Sequence, residues 1–205
     1  MRQRPRRPYR QRRRAERTGE TRARILDAVI ALHQELGPSR TTVSAIAARA
    51  GVQRLTVYRH FPDDLGRLEA STSRWLSAHP PPAPALWSEE TDPATATESA
   101  LGRMFAYYRR TARMWTTAYR DVAQVPELGP SMARFEEQLT SIGNGLVRAW
   151  SGELGSPEGR ALIRHALRFS TWESLAREGL DDEQMARLFV DWLTTAAAGR
   201  RSGAV

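Results

Sequence analysis

The sequence contains no cysteine and no lysine. Without cysteine, disulfides and thiolate metal sites are excluded, and a cytoplasmic location is expected. Without lysine, all 31 basic residues are arginine. No apolar run approaches the length that crosses a bilayer, so no membrane partner is expected. The N-terminus is basic but has no apolar segment, so it does not read as a secretory signal. The histidines are His33, His60, His79 and His165, and no two stand at i, i+4 as on a metal-binding helix. Neither a glycine-rich phosphate loop nor a G-x-S-x-G elbow is present. Asp181 and Asp182 read as a helix cap rather than a catalytic pair. His165, on an apolar helix, reads as a core histidine, and His33 as a surface or boundary one. An enzyme is therefore not expected, and neither is a metal or cofactor. Strand-like alternation and internal repeats are also missing.

What remains is 205 residues, 40% of them hydrophobic, enough for one medium domain or two small ones. The net charge of +8 is uneven. Residues 1–24 hold 11 arginines and two acids, whereas the rest holds 20 arginines and 21 acids. All of the excess charge thus sits at the N-terminal end. Residues 1–17 are dense in arginine and poor in apolar residues, a composition that predicts a disordered arm. One reading is a flexible arm that binds phosphates or follows a minor groove. The other is a solvated tail, or a start codon assigned too early.

Thr41 to Phe61, TTVSAIAARAGVQRLTVYRHF, reads as two short helices and a sharp turn. Thr42 is placed to cap the first helix. Ile46, Ala47 and Ala50 form its apolar stripe, and Gly51 suits the left-handed turn after it. Val57 and Phe61, four apart, face the core with Ile46. That leaves Arg54, Leu55, Thr56, Tyr58 and Arg59 nearer an outer face. The layout is a helix-turn-helix, a unit whose second helix can enter the DNA major groove. Arg54 lies at the N-terminal end of that helix, where base edges come within reach. Its two parallel donors match the O6 and N7 of guanine, or else take a phosphate. Thr42 and Ser44 offer hydroxyls to phosphate.

IAARAGV followed by LTVYRHF resembles the TetR/AcrR family of bacterial transcriptional regulators. The family pattern T-x-x-x-I-A-x-x-A-G-V, then T-[LV]-Y-x-[HY]-F, is met by Thr42, Ile46, Ala47, Ala50, Gly51, Val52, Thr56, Val57, Tyr58, His60 and Phe61. The resemblance implies a DNA-binding domain over residues 18–79 and assigns Thr56, Tyr58 and His60 to backbone contacts or the interface edge. Two positions depart from the family. Gln53, still counted in the DNA-binding set, replaces the usual Ser or Thr cap of the recognition helix. Asp64 stands near where many members carry a phosphate-touching lysine.

Around the motif, Ile25, Leu26, Val29, Leu32 and Leu36 share one helical face that ends at Gly37-Pro38. Leu65, Leu68, Thr72, Trp75 and Leu76 line another helix, from Asp63 to about Ala78, which in the family joins the reading head to the ligand domain. Pro80 to Asp92 reads as a linker. Residues 80–205 then form a helical ligand-binding and dimerisation domain. Its apolar stripes are Leu101–Trp115, Met132–Trp150, Pro157 to about Glu178, and Met185–Ala197, with stops at Gly155-Ser156 and Gly179. The fold class is all-α, with about nine helices. Met104, Tyr108, Trp115, Phe135, Trp150, Phe169 and Trp172 either line a ligand cavity or form ordinary core. Trp87, Tyr107, Arg148 and Glu173 are candidate rim contacts.

The family resemblance implies a double-stranded DNA operator, a small-molecule effector, and a homodimer through the last two long helices, Pro157–Glu178 and Asp181–Ala198. The expected function is a repressor released from a palindromic operator by a small apolar or aromatic ligand. A basic DNA-packaging protein without sequence preference is the alternative, but it leaves the aromatic-rich, neutral second half without a purpose.

Overall fold

A computed structural model describes residues 6–87, 89–150 and 157–202. All regular structure among them is helical: nine α-helices and three short 3-10 turns. The chain forms two compact units. The first comprises Met1–Ala78 and Thr116–Gly129; the second comprises His79–Trp115 and Pro130–Val205. Thr116–Gly129 therefore leaves the domain in which the sequence placed it.

In the first unit, α1 (Arg6–Glu35), α2 (Val43–Ala50), α3 (Arg54–His60) and α4 (Asp64–Ala78) surround one apolar core. Ile25, Leu26, Val29 and Leu32 of α1 meet Ile46, Ala47 and Ala50 of α2, with Val57 and Phe61 closing the cluster. The local signals act as expected. Thr42 accepts a hydrogen bond from the Ala45 N–H at 3.1 Å and so caps α2. Gly51 turns the chain at φ 64°, and the Val52 N–H returns to the Ala47 carbonyl at 3.0 Å. Asp63 accepts from the Gly66 N–H at 2.6 Å and starts α4. Gln53 makes no side-chain cap bond at the head of α3.

The disordered arm is corrected from Arg6 onward, because α1 begins there and runs unbroken into the core. Met1 to Pro5 lie outside the described residues. Composition argued against an arm that must order itself. This arm does not nucleate a helix; it extends one already held by Ile25 to Leu32, and extension costs far less than nucleation. Arginine is a good helix former, Pro8 falls in the tolerant first turn, and Arg12 bonds Glu16 one turn on at 3.0 Å.

The second unit holds α5 (Pro93–Asp121) up to Trp115, α6 (Gly129–Ala149) from Pro130, α7 (Pro157–Ala166), α8 (Phe169–Arg177) and α9 (Asp182–Ser202). Asp92 caps α5 through the Thr95 N–H at 2.8 Å. Asp181 and Gln184 form a reciprocal capping box, with bonds of 2.9 and 2.8 Å, at the head of α9. The expected stripes are buried: Leu101, Met104, Phe105 and Tyr108 on α5, and Met132, Phe135, Leu139, Ile142 and Leu146 on α6. The single helix expected over 157–178 is corrected to two. Arg168 is extended, at φ −74° and ψ 141°. The Leu167 carbonyl accepts from the Tyr108 hydroxyl at 2.7 Å, and the His165 carbonyl from the Thr171 hydroxyl at 2.7 Å. The Tyr108 hydroxyl thus satisfies the Leu167 carbonyl at the break, while the His165 carbonyl also accepts from the Arg168 N–H at 3.1 Å. Gly155 and Ser156 lie outside the described residues.

Candidate nucleic-acid interface

With Val57 and Phe61 in the core, the opposite face of α3 is bare. Arg54, Leu55, Tyr58 and Arg59 are exposed, and Thr56 and His60 are half-buried. Leu55 is 74% exposed and Tyr58 42%, a large apolar investment that folding alone does not explain. Neither Arg54 nor Arg59 is ion-paired among the described residues. By contrast, Arg49 grips Glu35 through bonds of 2.9 and 2.6 Å, and Arg74 grips Asp27 at 2.7 and 3.2 Å. Arg49 and Arg74 brace helices, whereas no such ion pair ties down the arginines of α3 among the described residues. Gln53, Thr42 and Ser44 are exposed beside this face, at the head of α3 and on the first turn of α2. The Asp64 carboxylate is engaged by Arg67 one turn along α4.

A groove of about 670 Å³ opens between α1 and the end of α3. Arg13, Arg14 and Arg17 line it, with Thr18 and Thr21 beside them, and Arg59 and His60 form the facing wall. The His60 imidazole is held below its usual pKa, first by partial burial and then by the charges of Arg59 and Arg22. Arg22 itself lies over the Phe61 ring, 4.9 Å from its centre. Sequence reasoning treated α1 and α3 separately. The signal that could have joined them was the helical spacing of Arg13, Arg14, Arg17, Thr18 and Thr21.

A second feature of this unit concerns the junction of α1 and α2. Gly37, at φ 93°, lies so close to Arg120 and Asp121 that a β-carbon would meet both side chains. Arg120 donates to the Leu36 carbonyl at 2.7 Å, and the buried Asp121 accepts from the Ser39 N–H at 3.0 Å. Burial alone would raise the Asp121 carboxyl. Arg120 and the Ser39 donors outweigh it and hold the group at about 2. His33, expected near the surface, is buried. It is pushed down to about 4, mostly by desolvation and further by Arg67.

In the second unit, all eight candidate ligand contacts are buried: Trp87, Met104, Tyr108, Trp115, Phe135, Trp150, Phe169 and Trp172. Five of them form one aromatic cluster. Tyr108 touches Phe135, Phe169 and Trp172, with ring centres 5.4–6.4 Å apart, and Trp115 stacks on Phe135 at 4.0 Å. Trp150 donates instead to Thr97 at 3.0 Å, and Trp172 to Asp182 at 3.2 Å. Of the candidate rim contacts, Trp87 and Tyr107 are buried, Arg148 is exposed and Glu173 half-buried. Burial raises the Tyr107 phenol to about 12. His165, expected in the core, is exposed on α7.

A core-backed helix-turn-helix with an exposed, arginine-bearing outer side has the layout of a DNA-binding head. Residues 25–63 match the family of bacterial regulatory proteins, tetR family. The match covers the helix-turn-helix and the helix before it, and across most of the chain the helical fold is similar to that of solved TetR-type regulators. A TetR-like transcriptional regulator from Rhodococcus sp. RHA1 is 18% identical, with a TM-score of 0.66 over 87% of this chain and 96% of its own. A TetR transcription regulator from Haloarcula marismortui is 12% identical, with a TM-score of 0.57 over 88% and 98%. SmeT, in complex with triclosan, is 21% identical, with a TM-score of 0.55 over 86% and 90%. No curated protein matches the chain. No described helix is long and apolar enough to cross a membrane.

Proposed function

We propose that this protein is a homodimeric repressor that reads a palindromic operator and releases it when a small apolar or aromatic ligand binds the second unit. One observation carries the reading: α3 is fixed by Val57 and Phe61, while Leu55, Tyr58 and Arg59 on its outer side and Arg54 at its N-terminal end are exposed. In this reading α3 enters the major groove. Arg54 reaches base edges, and Gln53, Leu55, Thr56, Tyr58, Arg59 and His60 flank it. Thr42 and Ser44 meet phosphate from α2.

Support for dimerisation comes from the C-terminal helices. Helices α7 and α9 lie side by side, and Trp192 of α9 is 48% exposed. Such a surface suits a helical bundle formed with a second copy. The ligand class rests on the aromatic cluster of the second unit and on the triclosan complex of SmeT, a protein of similar fold.

The deciding experiment is selection of bound duplexes from random DNA with the full chain, paired with sedimentation at micromolar concentration. The expected result is a two-fold symmetric site bound by a dimer, with half-site centres about one helical turn apart or a multiple of that. Equal binding to all sequences at moderate salt would favour the packaging role instead.

A further inference from the structure

The groove between α1 and α3 goes beyond base reading, although its assigned partner rests on the DNA-binding role above. Arg13, Arg14, Arg17, Thr18 and Thr21 recur at helical spacing, so one face of α1 turns toward Arg59 and His60. No carboxylate lines the groove. Of the two acids nearest in sequence, Glu16 is paired with Arg12 and Glu20 stands outside the groove lining. The threonine hydroxyls donate to carbonyls of their own helix, Arg14 at 2.8 Å and Arg17 at 2.9 Å. They leave a small, neutral floor beneath the cations. The groove is open, positively charged on both walls, and continues from the end of the helix that carries the base-reading face. An extended polyanion beside that helix meets these conditions.

We propose that the groove is a phosphate clamp: the helical N-terminal half of α1 and the C-terminal end of α3 close on the sugar-phosphate backbone of one DNA strand, flanking the major groove that α3 enters. The arm acts as a rigid jaw and not as a flexible tether. Its arginines are presented in fixed register by the helix, so binding does not have to order them. Charge and helicity are both required, and they can be separated by substitution.

The experiment measures binding of the full chain to its selected duplex by fluorescence anisotropy, between 50 and 200 mM salt. Four proteins are compared: wild type, the triple variant R13Q/R14Q/R17Q, A15P and G19A. Losing three phosphate contacts should flatten the slope of log K against log salt by roughly 2–3 per protomer. Over this salt range that is about 40-fold less loss of affinity per protomer than wild type shows. A15P keeps every charge but breaks the helix beneath Arg13 and Arg14. It should weaken binding and flatten the slope in the same direction. Gly19 has open space around its missing β-carbon, so G19A stiffens the jaw without a clash. It should tighten binding by up to about fivefold. Residues 11–20 are exposed, so melting temperatures should stay close to wild type, confirming that the fold is intact.

An A15P protein that binds with wild-type affinity and slope overturns the rigid jaw. An unchanged slope in the triple variant overturns the phosphate contact itself, and a weaker G19A overturns the need for stiffness. If wild type shows no preferred duplex, the regulator reading fails, and the clamp is then judged by the same comparison on random DNA.

Discussion

At the residue scale, Arg54 and His33 are governed by opposite conditions. Arg54 is exposed and unpaired, so its contribution appears only on DNA. Arg54→Ala should cost about 1–3 kcal/mol and relax preference at one position per half-site. Uniform weakening on all duplexes would make it a phosphate contact. His33 contributes through the fold. Its native pKa, about 4, lies below the ordinary 6.5, so the unfolded chain takes up the proton first. His33 is therefore neutral in regard to stability above pH 6.5. As pH falls from 6.5 to 4, the native state loses on the order of 2–3 kcal/mol. Thermal melts across that window should show the decline, and His33→Gln should flatten it. The sequence made Arg54 legible because it stands at the N-terminal end of α3, before the core contacts of Val57 and Phe61 begin. His33 stands at i+4 from Val29 and i+7 from Leu26, on the buried stripe of α1, so the spacing carried the signal and only the polar residue type spoke against it.

Among the elements, what was legible follows how local the cause is. Caps, glycine turns and apolar stripes act within a few residues, so α2, α3, α4 and the start of α9 could be read directly. The break between α7 and α8 has no glycine or proline. It is accompanied by the Tyr108 hydroxyl on the Leu167 carbonyl, 59 positions apart in sequence, and no window sees such a pair. The helical arm escaped for the converse reason: composition judged it alone, whereas it grows from a helix anchored further on. The same logic applies to the end of α5. Asp121 holds the junction of α1 and α2 through Ser39, so Asp121→Ala should destabilise the first unit by about 1–3 kcal/mol, measured by denaturant unfolding. Its carboxyl is depressed, so its contribution is present above pH 4 and is lost as pH falls toward 2. In Asp121→Ala the acid limb of the stability profile should shrink accordingly.

For the whole molecule, charge and aromatic content are separated along the chain, and each half has its own test. The ligand response should reside in the aromatic cluster. Tyr108→Ala or Trp115→Ala should abolish it while operator binding persists. An effector coupling of about 1–3 kcal/mol, roughly 5–150-fold in operator affinity, is the size to look for by titrating ligand against the bound duplex. Melting curves of both variants decide whether these rings serve the ligand or only the core, since loss of a well-packed aromatic costs about 3–5 kcal/mol by itself.

Helix α1 is also a lever with unequal arms. Its fulcrum is the packed stretch that starts at Ile25, and its charged face reaches Arg13, twelve residues beyond. At the helical rise this is about 18 Å, so a tilt of only about 10° at the fulcrum sweeps the arginines through ~3 Å. A charge-assisted contact tolerates a few tenths of an ångström before it weakens. A rearrangement too small to disturb the core would therefore be amplified at the tip into the loss of whole contacts. With the proposed clamp, the strength of the hold on DNA would report the angle at which one helix leaves its core.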